Sequence, residues 1–467
     1  MNETDNFYND PDKLADGFLS SFIFDNEPDF EKLPSRDSAC YKLTSWRDDF
    51  YVWDDGCYTL LSDHEIRRLL TAYIQRLNDN GEQKEKISIT TQRINNVMLC
   101  LKGRIGRPET INFNSWPDGR ERLICTIACS NGLVCWDKKK KTKPVLMPHT
   151  PKFFNVVKLP YAYDPSAECP QWLKFLNEVL DGQEGYILLL QLWTGYLFRP
   201  DLKEQKFLLC CGDGANGKGV LFEVIQSLVG RENCSQVPLT RFSSPFSLYS
   251  TFGKVLNATN ESSHIIEDEA ETILKSFVAG DSFTFERKFK EPVSATPTAK
   301  IMISTNALPR FNDKTEGIWR RILLVPFKRV FKETEQNKDL ADILKKELSG
   351  ILNWAFAGLQ DLNDAGGFIV PTENKELIED YRQEADPARA FLLDNYAPSD
   401  NGDYVVCSEL YTHYKKYCEE NGYHALGNRG FGKQVMRIFP DIERKRISGE
   451  MKRDWAYAGL LSQEKEN

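Results

Sequence analysis

Gly212, Gly214, Gly217 and Lys218 fall within KFLLCCGDGANGKGVLFEVIQSLVG (206–230), at a spacing that points to phosphate binding. An apolar run, Phe207 to Cys211, enters the loop. Val220, Leu221, Val224, Ile225 and Leu228 then recur with helical period, and Gly230 closes the helix. Strand, glycine loop and helix in this order turn backbone N–H groups toward a triphosphate, and the helix N-terminus adds about half a positive charge there. The expected cradle runs Gly212, Asp213, Gly214, Ala215, Asn216, Gly217, Lys218, Gly219 and Val220, with Lys218 reaching the β- and γ-phosphates of ATP. One position departs from the usual pattern. Lys218 is followed by Gly219, where Ser or Thr would offer a hydroxyl to Mg²⁺. The metal must then lean on phosphates, waters and a carboxylate from elsewhere.

Glu261 is the expected carboxylate. It ends the short apolar strand of GKVLNATNES (253–262), with Asn260 before it where Asp is commoner. There it can polarise an attacking water and help hold Mg²⁺. The strand in AKIMISTNALPRF (299–311) ends in Asn306, whose amide can orient that water and sense the γ-phosphate. EGIWRRILLVPF (316–327) presents Arg320 and Arg321 ahead of another apolar strand. Two arginines there call for anionic partners, and they suit a finger reaching the ATP of a neighbouring subunit. In FTFERKFK (283–290), Phe283, Phe285, Arg287 and Phe289 alternate with Thr284, Glu286, Lys288 and Lys290. Arg287, Lys288 and Lys290 on such a hairpin are candidates to track a DNA backbone.

The elements that position these residues are legible in outline. FYVWDDGCYTLLS (50–62) reads as a hairpin around Asp54-Asp55-Gly56, and Ser62-Asp63 caps an amphipathic helix through Leu77. LICTIACSNGLVCWD (123–137) reads as a second hairpin turning at Asn131-Gly132. The basic run 138–143 is expected to be a solvated loop. Two helices then lead to the glycine loop, and one long helix is expected over 339–362. The division predicted is an acidic, weakly structured lead (1–40), an α+β domain (41–198), an α/β nucleotide-binding core (199–365), a Gly- and Pro-marked linker (366–386) and a small C-terminal domain (387–462). In the last, an amphipathic helix (408–422), a shorter basic helix with Arg429, Lys433 and Arg437, and a hairpin carrying Lys452 and Arg453 suggest a winged helix that binds duplex DNA.

Bulk composition sets bounds. The 467 residues carry 41% hydrophobic and 27% charged side chains and a net charge of −8, so nucleic-acid contact must come from local basic patches. No apolar run approaches the ~20 residues of a membrane span. The acidic N-terminus does not read as a secretory signal, and the twelve cysteines suit reduced thiols in a cytoplasmic protein. Cys125 and Cys129 could form half a zinc site, but no second pair follows at matching spacing.

The order GDGANGKG, a strand ending in Glu, LK..VAGD.F..ERKFK, ISTN.LP and RR..L.PF resembles superfamily 3 helicases, in particular the phage and plasmid primase–helicases related to those of poxviruses. The likeness is strongest over about 200–330 and extends upstream through LMPHT, LPY.YDP and CP.W..FL. It implies an AAA+-like P-loop ATPase core in a ring, a hexamer, that hydrolyses ATP between subunits and translocates on single-stranded DNA in the host cytoplasm. It further implies Lys218 on the phosphates, Glu261 as acid, Asn306 as sensor, Arg320 or Arg321 as finger, and Lys288 or Lys290 on the DNA-gripping hairpin. No primase metal triad is legible, so a separate primase or polymerase is the expected partner. The competing expectation is an origin-binding initiator that uses ATP for assembly and local melting.

Overall fold

The computed structural model of the chain describes residues 10–24, 41–80, 86–116, 119, 124–137, 143–261, 266–311, 316–448 and 453–463. Its first element is a helix, α1 (Pro11–Ser20), with Asp10 as N-cap accepting the N–H of Asp12. Leu14, Ala15, Phe18 and Leu19 are buried in the first core. The expected weakly structured lead therefore holds a packed helix. Its four-residue stripe sits in so acidic a setting that composition masked it. β1 (Leu43–Trp46), β2 (Asp49–Asp54) and β3 (Cys57–Leu61) form an antiparallel sheet, turning at Asp55-Gly56 between the last two. Ser62 caps α2 (Asp63–Asp79) by a reciprocal box with Glu65, and α3 (Thr91–Ile105) completes the core around Ile66, Leu70, Val97 and Leu101.

β4 (Ile124–Cys129), β5 (Gly132–Asp137) and β6 (Val145–Met147) make a second antiparallel sheet. The turn falls at Ser130-Asn131, one residue earlier than expected. Gly132 lies in β5, and a Cβ there would sit 2.4 Å from the Met147 carbonyl of β6. The glycine serves close strand approach rather than the turn. α4 (Pro170–Val179) and α5 (Glu184–Tyr196) follow. Val134, Trp172, Phe175 and Trp193 share one continuous core with Leu221, Ile351 and Leu359. The expected boundary at 198/199 is thus no boundary in packing, because the β4–β6 sheet and both helices are built onto the nucleotide-binding half.

The centre consists of β7 (Phe207–Cys211), α6 (Lys218–Val229), β8 (Cys234–Ser235), β9 (Leu256–Glu261), α7 (Asp268–Ala279), β10 (Phe283–Arg287), β11 (Lys290–Ala295), β12 (Lys300–Thr305), the short α8 (Glu316–Trp319) and β13 (Ile322–Pro326). Five strands form a wholly parallel sheet in the order β13-β7-β12-β9-β8, and β10–β11 stand apart as a hairpin. Parallel strands need crossovers, and the crossing elements cover both faces; β7, β12 and β13 are accordingly buried almost end to end. At the start of β12, Lys300 is buried. Its Nζ donates to the carbonyls of Arg199 and Thr298 and lies 5.0 Å from the Tyr196 ring centroid. Burial pushes this ammonium down to about 7 against the attraction of Asp201.

α9 (Leu340–Lys345) and α10 (Leu348–Ala365) replace the single long helix expected over 339–362. The chain breaks at Lys346-Glu347, and the Glu347 carboxylate accepts the N–H groups of Gln171 (3.1 Å) and Trp172 (2.9 Å) at the start of α4. α11 (Thr372–Ala385) fills most of the expected linker. Its Asn374 is buried and donates to the Leu324 carbonyl of β13, the Tyr381 hydroxyl donates to the Pro309 carbonyl, and Arg382 pairs with Glu316. Beyond it, α12 (Pro387–Asn395), β14 (Tyr396–Pro398), β15 (Tyr404–Val406), α13 (Cys407–Glu420), α14 (Asn428–Ile438), β16 (Glu443–Ser448), β17 (Arg453–Ala458) and β18 (Leu460–Ser462) enclose a separate core of Phe391, Leu410, Tyr414, Phe431 and Val435. No described helix is long and apolar enough to cross a membrane.

Candidate functional site

Register brings the predicted nucleotide residues to one edge of the parallel sheet. Thr305 of β12 is opposite Cys211 of β7 on one side and Glu261 of β9 on the other. Gly212, Asn306 and the backbone of Glu261 therefore emerge side by side, across about 10 Å at ~4.8 Å per strand. Asn260 is exposed and opposite Ser304; the side chain of Glu261 lies outside the described residues. Gly212 turns the chain at φ +149°, and a Cβ there would meet the Phe327 carbonyl at 2.2 Å. Gly217 (φ +86°) caps α6 where a Cβ would lie 2.6 Å from Val179 Cγ1. Gly219, by contrast, has open space where a side chain would project.

Lys218 is buried at the first position of α6. Its Nζ donates to the carbonyls of Gly212 and Asp213 (3.3 Å) and to Asn216 Oδ1 (3.1 Å). Burial lowers its pKa from the ordinary lysine value. Asn216, also buried, donates through Nδ2 to the Phe327 carbonyl (3.3 Å), and Phe331 N–H donates to Ala215 (2.8 Å). The segment after β13 thus braces the loop from behind. A cavity of about 600 Å³ opens over Gly214–Val220, with Ser304 and Asn306 at one side. Phe175 and Val179 of α4, Phe331, and Leu340 and Ile343 of α9 give it an apolar wall, with Lys174 and Lys338 at its margin. Sequence reading missed this wall, since α4 read only as a helix leading to the loop, α9 as part of one long helix, and nothing local tied either to the nucleotide.

Arg320 and Arg321 lie at the other edge. Ile322 is opposite Phe207, and Phe207 N–H donates to the Arg321 carbonyl (2.9 Å), so the length of β7 separates both arginines from the loop, roughly 16 Å at ~3.3 Å per residue. The two differ. Arg321 is buried and donates to the Gly317 carbonyl, while Arg320 is exposed.

The β10–β11 hairpin departs from simple alternation. Its register shifts between Phe285 and Arg287, and Arg287 is opposite Lys290. Phe285 is buried, but Phe289 leaves the apolar face expected for it and occupies the turn at φ +62°. Arg287 is not free to track a backbone: it pairs with Asp49 of β2 at 2.5 Å, and Lys290 reaches the same carboxylate at 2.8 Å. Arg47 donates to the Ser294 carbonyl, so the β1–β3 sheet clamps the hairpin at its base. Lys288 is exposed at the tip.

In the C-terminal unit, Arg429 and Lys433 are exposed on one face of α14, with Arg437 a turn further on and 3.4 Å from Asp386. Arg444 and Arg446 of β16 lie 4.9 and 5.1 Å from the ring of the half-exposed Trp455 on β17. This ladder was overlooked in the sequence, although its signal is simple: two arginines at period two, opposite a tryptophan. Lys452 is outside the described residues, and Arg453 opens β17 opposite Ser448.

Comparison with known proteins adds family information. The profile "D5 N terminal like" matches residues 39–181, "Family of unknown function (DUF5906)" matches 210–321, and "RFX DNA-binding domain" matches 386–464. Putative helicase L207/L206 of Acanthamoeba polyphaga mimivirus is 25% identical over 244 residues, 47% of this chain and 25% of that protein. Putative helicase 022R of Frog virus 3 is 26% identical over 196 residues, 38% of this chain and 20% of that protein. Together these matches support a likeness to phage and viral primase–helicases. The chain spans a quarter or less of the length of these two relatives. Among solved structures, the apo NrS-1 C terminal region (305-718) superimposes with a TM-score of 0.55 over 98% of this chain and 100% of that one, at 13% identity. That likeness is one of fold: the mixed α/β architecture with its parallel sheet matches the NrS-1 C terminal region.

Proposed function

We propose that this chain is an ATP-dependent DNA helicase of a phage, plasmid or mobile element, working as a ring on single-stranded DNA. The observation that carries the reading is the division of candidate catalytic groups between two edges of one sheet. Lys218, Asn306 and Glu261 share one edge, while Arg320 is exposed at the other, roughly 16 Å away. A guanidinium at that remove cannot touch a nucleotide on its own loop, so it serves the loop of a second copy. In this P-loop reading the triphosphate takes over the Lys218 ammonium from the Gly212 and Asp213 carbonyls, and the apolar wall takes the base. Asn306 orients water, Glu261 accepts its proton, and Arg320 of the adjoining subunit stabilises charge on the transferring group. The residues fit a phosphate-carried Mg²⁺, since that ion is commonly held by one or two carboxylates plus substrate oxygens. Glu261, with Asn260 as the second candidate, would help hold it, and it would neutralise phosphate charge.

Two mutants and their mixture test this. Lys218→Ala and Arg320→Ala proteins should each lack DNA-stimulated ATPase. Mixed under proven subunit exchange they should regain part of it, because some interfaces then hold both intact halves. No recovery at any ratio would remove Arg320 from the site. Unwinding of 3′- and 5′-tailed duplexes by wild type then reads helicase activity directly. A second reading, an origin-binding initiator, draws on the RFX-like match and the basic face of Arg429 and Lys433. In that reading the C-terminal unit is a winged helix holding duplex, and unwinding would fail without residues 387–462.

A further inference from the structure

We propose that Phe289 is a stacking platform for an unpaired nucleobase, so that the hairpin holds a single strand by a base as well as by its phosphates. The inference rests on the hairpin being the strand-gripping element of the reading above. Phe289 is 93% exposed at the hairpin tip, while Phe283 and Phe285 of the same hairpin turn toward the protein. Its φ of +62° belongs to the left-handed region, at a turn position where Gly or Asn is the undemanding choice. A phenylalanine there gains neither burial nor turn geometry from its own chain. What surrounds it is cationic. Lys288 Nζ lies 5.1 Å from the ring centroid, and Lys290, its side chain 45% exposed beside Asp49, follows the turn. An aromatic face beside cations is the pairing that binds single strands, since every base offers a π-face and every linkage a charge. The support is firm as well: Asp49 holds Arg287 and Lys290, and Arg47 holds the Ser294 carbonyl, so the tip projects from a braced stem.

The test compares an oligo-dT with an abasic sugar–phosphate strand of equal length, against the full-length protein. Phe289→Ala should weaken oligo-dT binding about tenfold or more, the scale of one lost stack, while abasic binding and the salt slope stay as in wild type. Phe289→Trp should retain oligo-dT affinity, and its added fluorescence should quench with oligo-dT but not with the abasic strand. Lys288→Ala should do the converse of Phe289→Ala, flattening the salt slope for both strands. Equal affinity of wild type and Phe289→Ala for oligo-dT overturns the proposal, as does an equal loss on both strands. So does a Phe289→Ala protein that binds oligo-dT normally but no longer assembles, which would seat the ring in a neighbouring copy. A wild-type protein that binds neither strand fails the hairpin reading itself.

Discussion

Lys218 sits where the glycine pattern led, but two features of its surroundings needed coordinates. The ammonium is held by carbonyls of its own loop, and the position after it is open. Gly219→Ser should therefore be accommodated, with a helix interior slightly more favourable by about half a kcal/mol. Its hydroxyl should lower the Mg²⁺ concentration for half-maximal ATPase several-fold; an unchanged Mg²⁺ profile would mean the metal is held from another side. Lys300 carries a second expectation. Its folded value of about 7 is far below the ~10.4 of an unfolded lysine, so between those values the unfolded chain binds the extra proton. This residue's contribution is complete above the unfolded value and is lost as pH falls toward 7, with a slope of at most about 1.4 kcal/mol per pH unit. Comparing melting temperatures at pH 7 and 8.5, wild type should gain relative to Lys300→Met. Parallel curves would show that the lysine is not buried in its neutral form. Residue types at the loop were legible because glycine and lysine chemistry is local. That Arg321 is buried and Arg320 exposed was not, since adjacent identical residues differ only through what packs on them.

At the scale of elements, patterning served well where one face decides the structure. The Ser62 cap, the 50–62 hairpin and the strand–loop–helix at 207–229 all follow from caps, turns and period. It failed where an element is defined by distant partners. α11 reads as polar linker because its few anchors, Asn374, Tyr381 and Arg382, are polar or amphipathic and find their partners around the central sheet at Leu324, Pro309 and Glu316. Two truncations separate these views. A chain ending after residue 386 should keep a folded core and basal ATPase while losing duplex binding. One ending after residue 366 should melt at lower temperature and aggregate, since it uncovers the β13 side of the sheet. Equal thermal stability of the two would return α11 to the role of a tether.

Across the whole molecule, the sequence suggested a chain of modules, whereas the core runs from the β4–β6 sheet through α5 and α6 to α10 without interruption. Composition cannot reveal such sharing, because a buried Trp172 or Trp193 looks the same whichever body it joins. The N-terminal sheet is likewise tied to the hairpin through Asp49, over more than two hundred residues of chain. The two-edged sheet has a consequence for kinetics. If each turnover draws one group from a second molecule, the rate must climb more steeply than in proportion to protein concentration, and specific activity must fall when a concentrated stock is diluted. The decline should follow the rate of dissociation rather than appear at once, and long single strands should postpone it by holding copies together. A specific activity that stays level down to concentrations where only single chains remain would mean that one chain carries every group it needs.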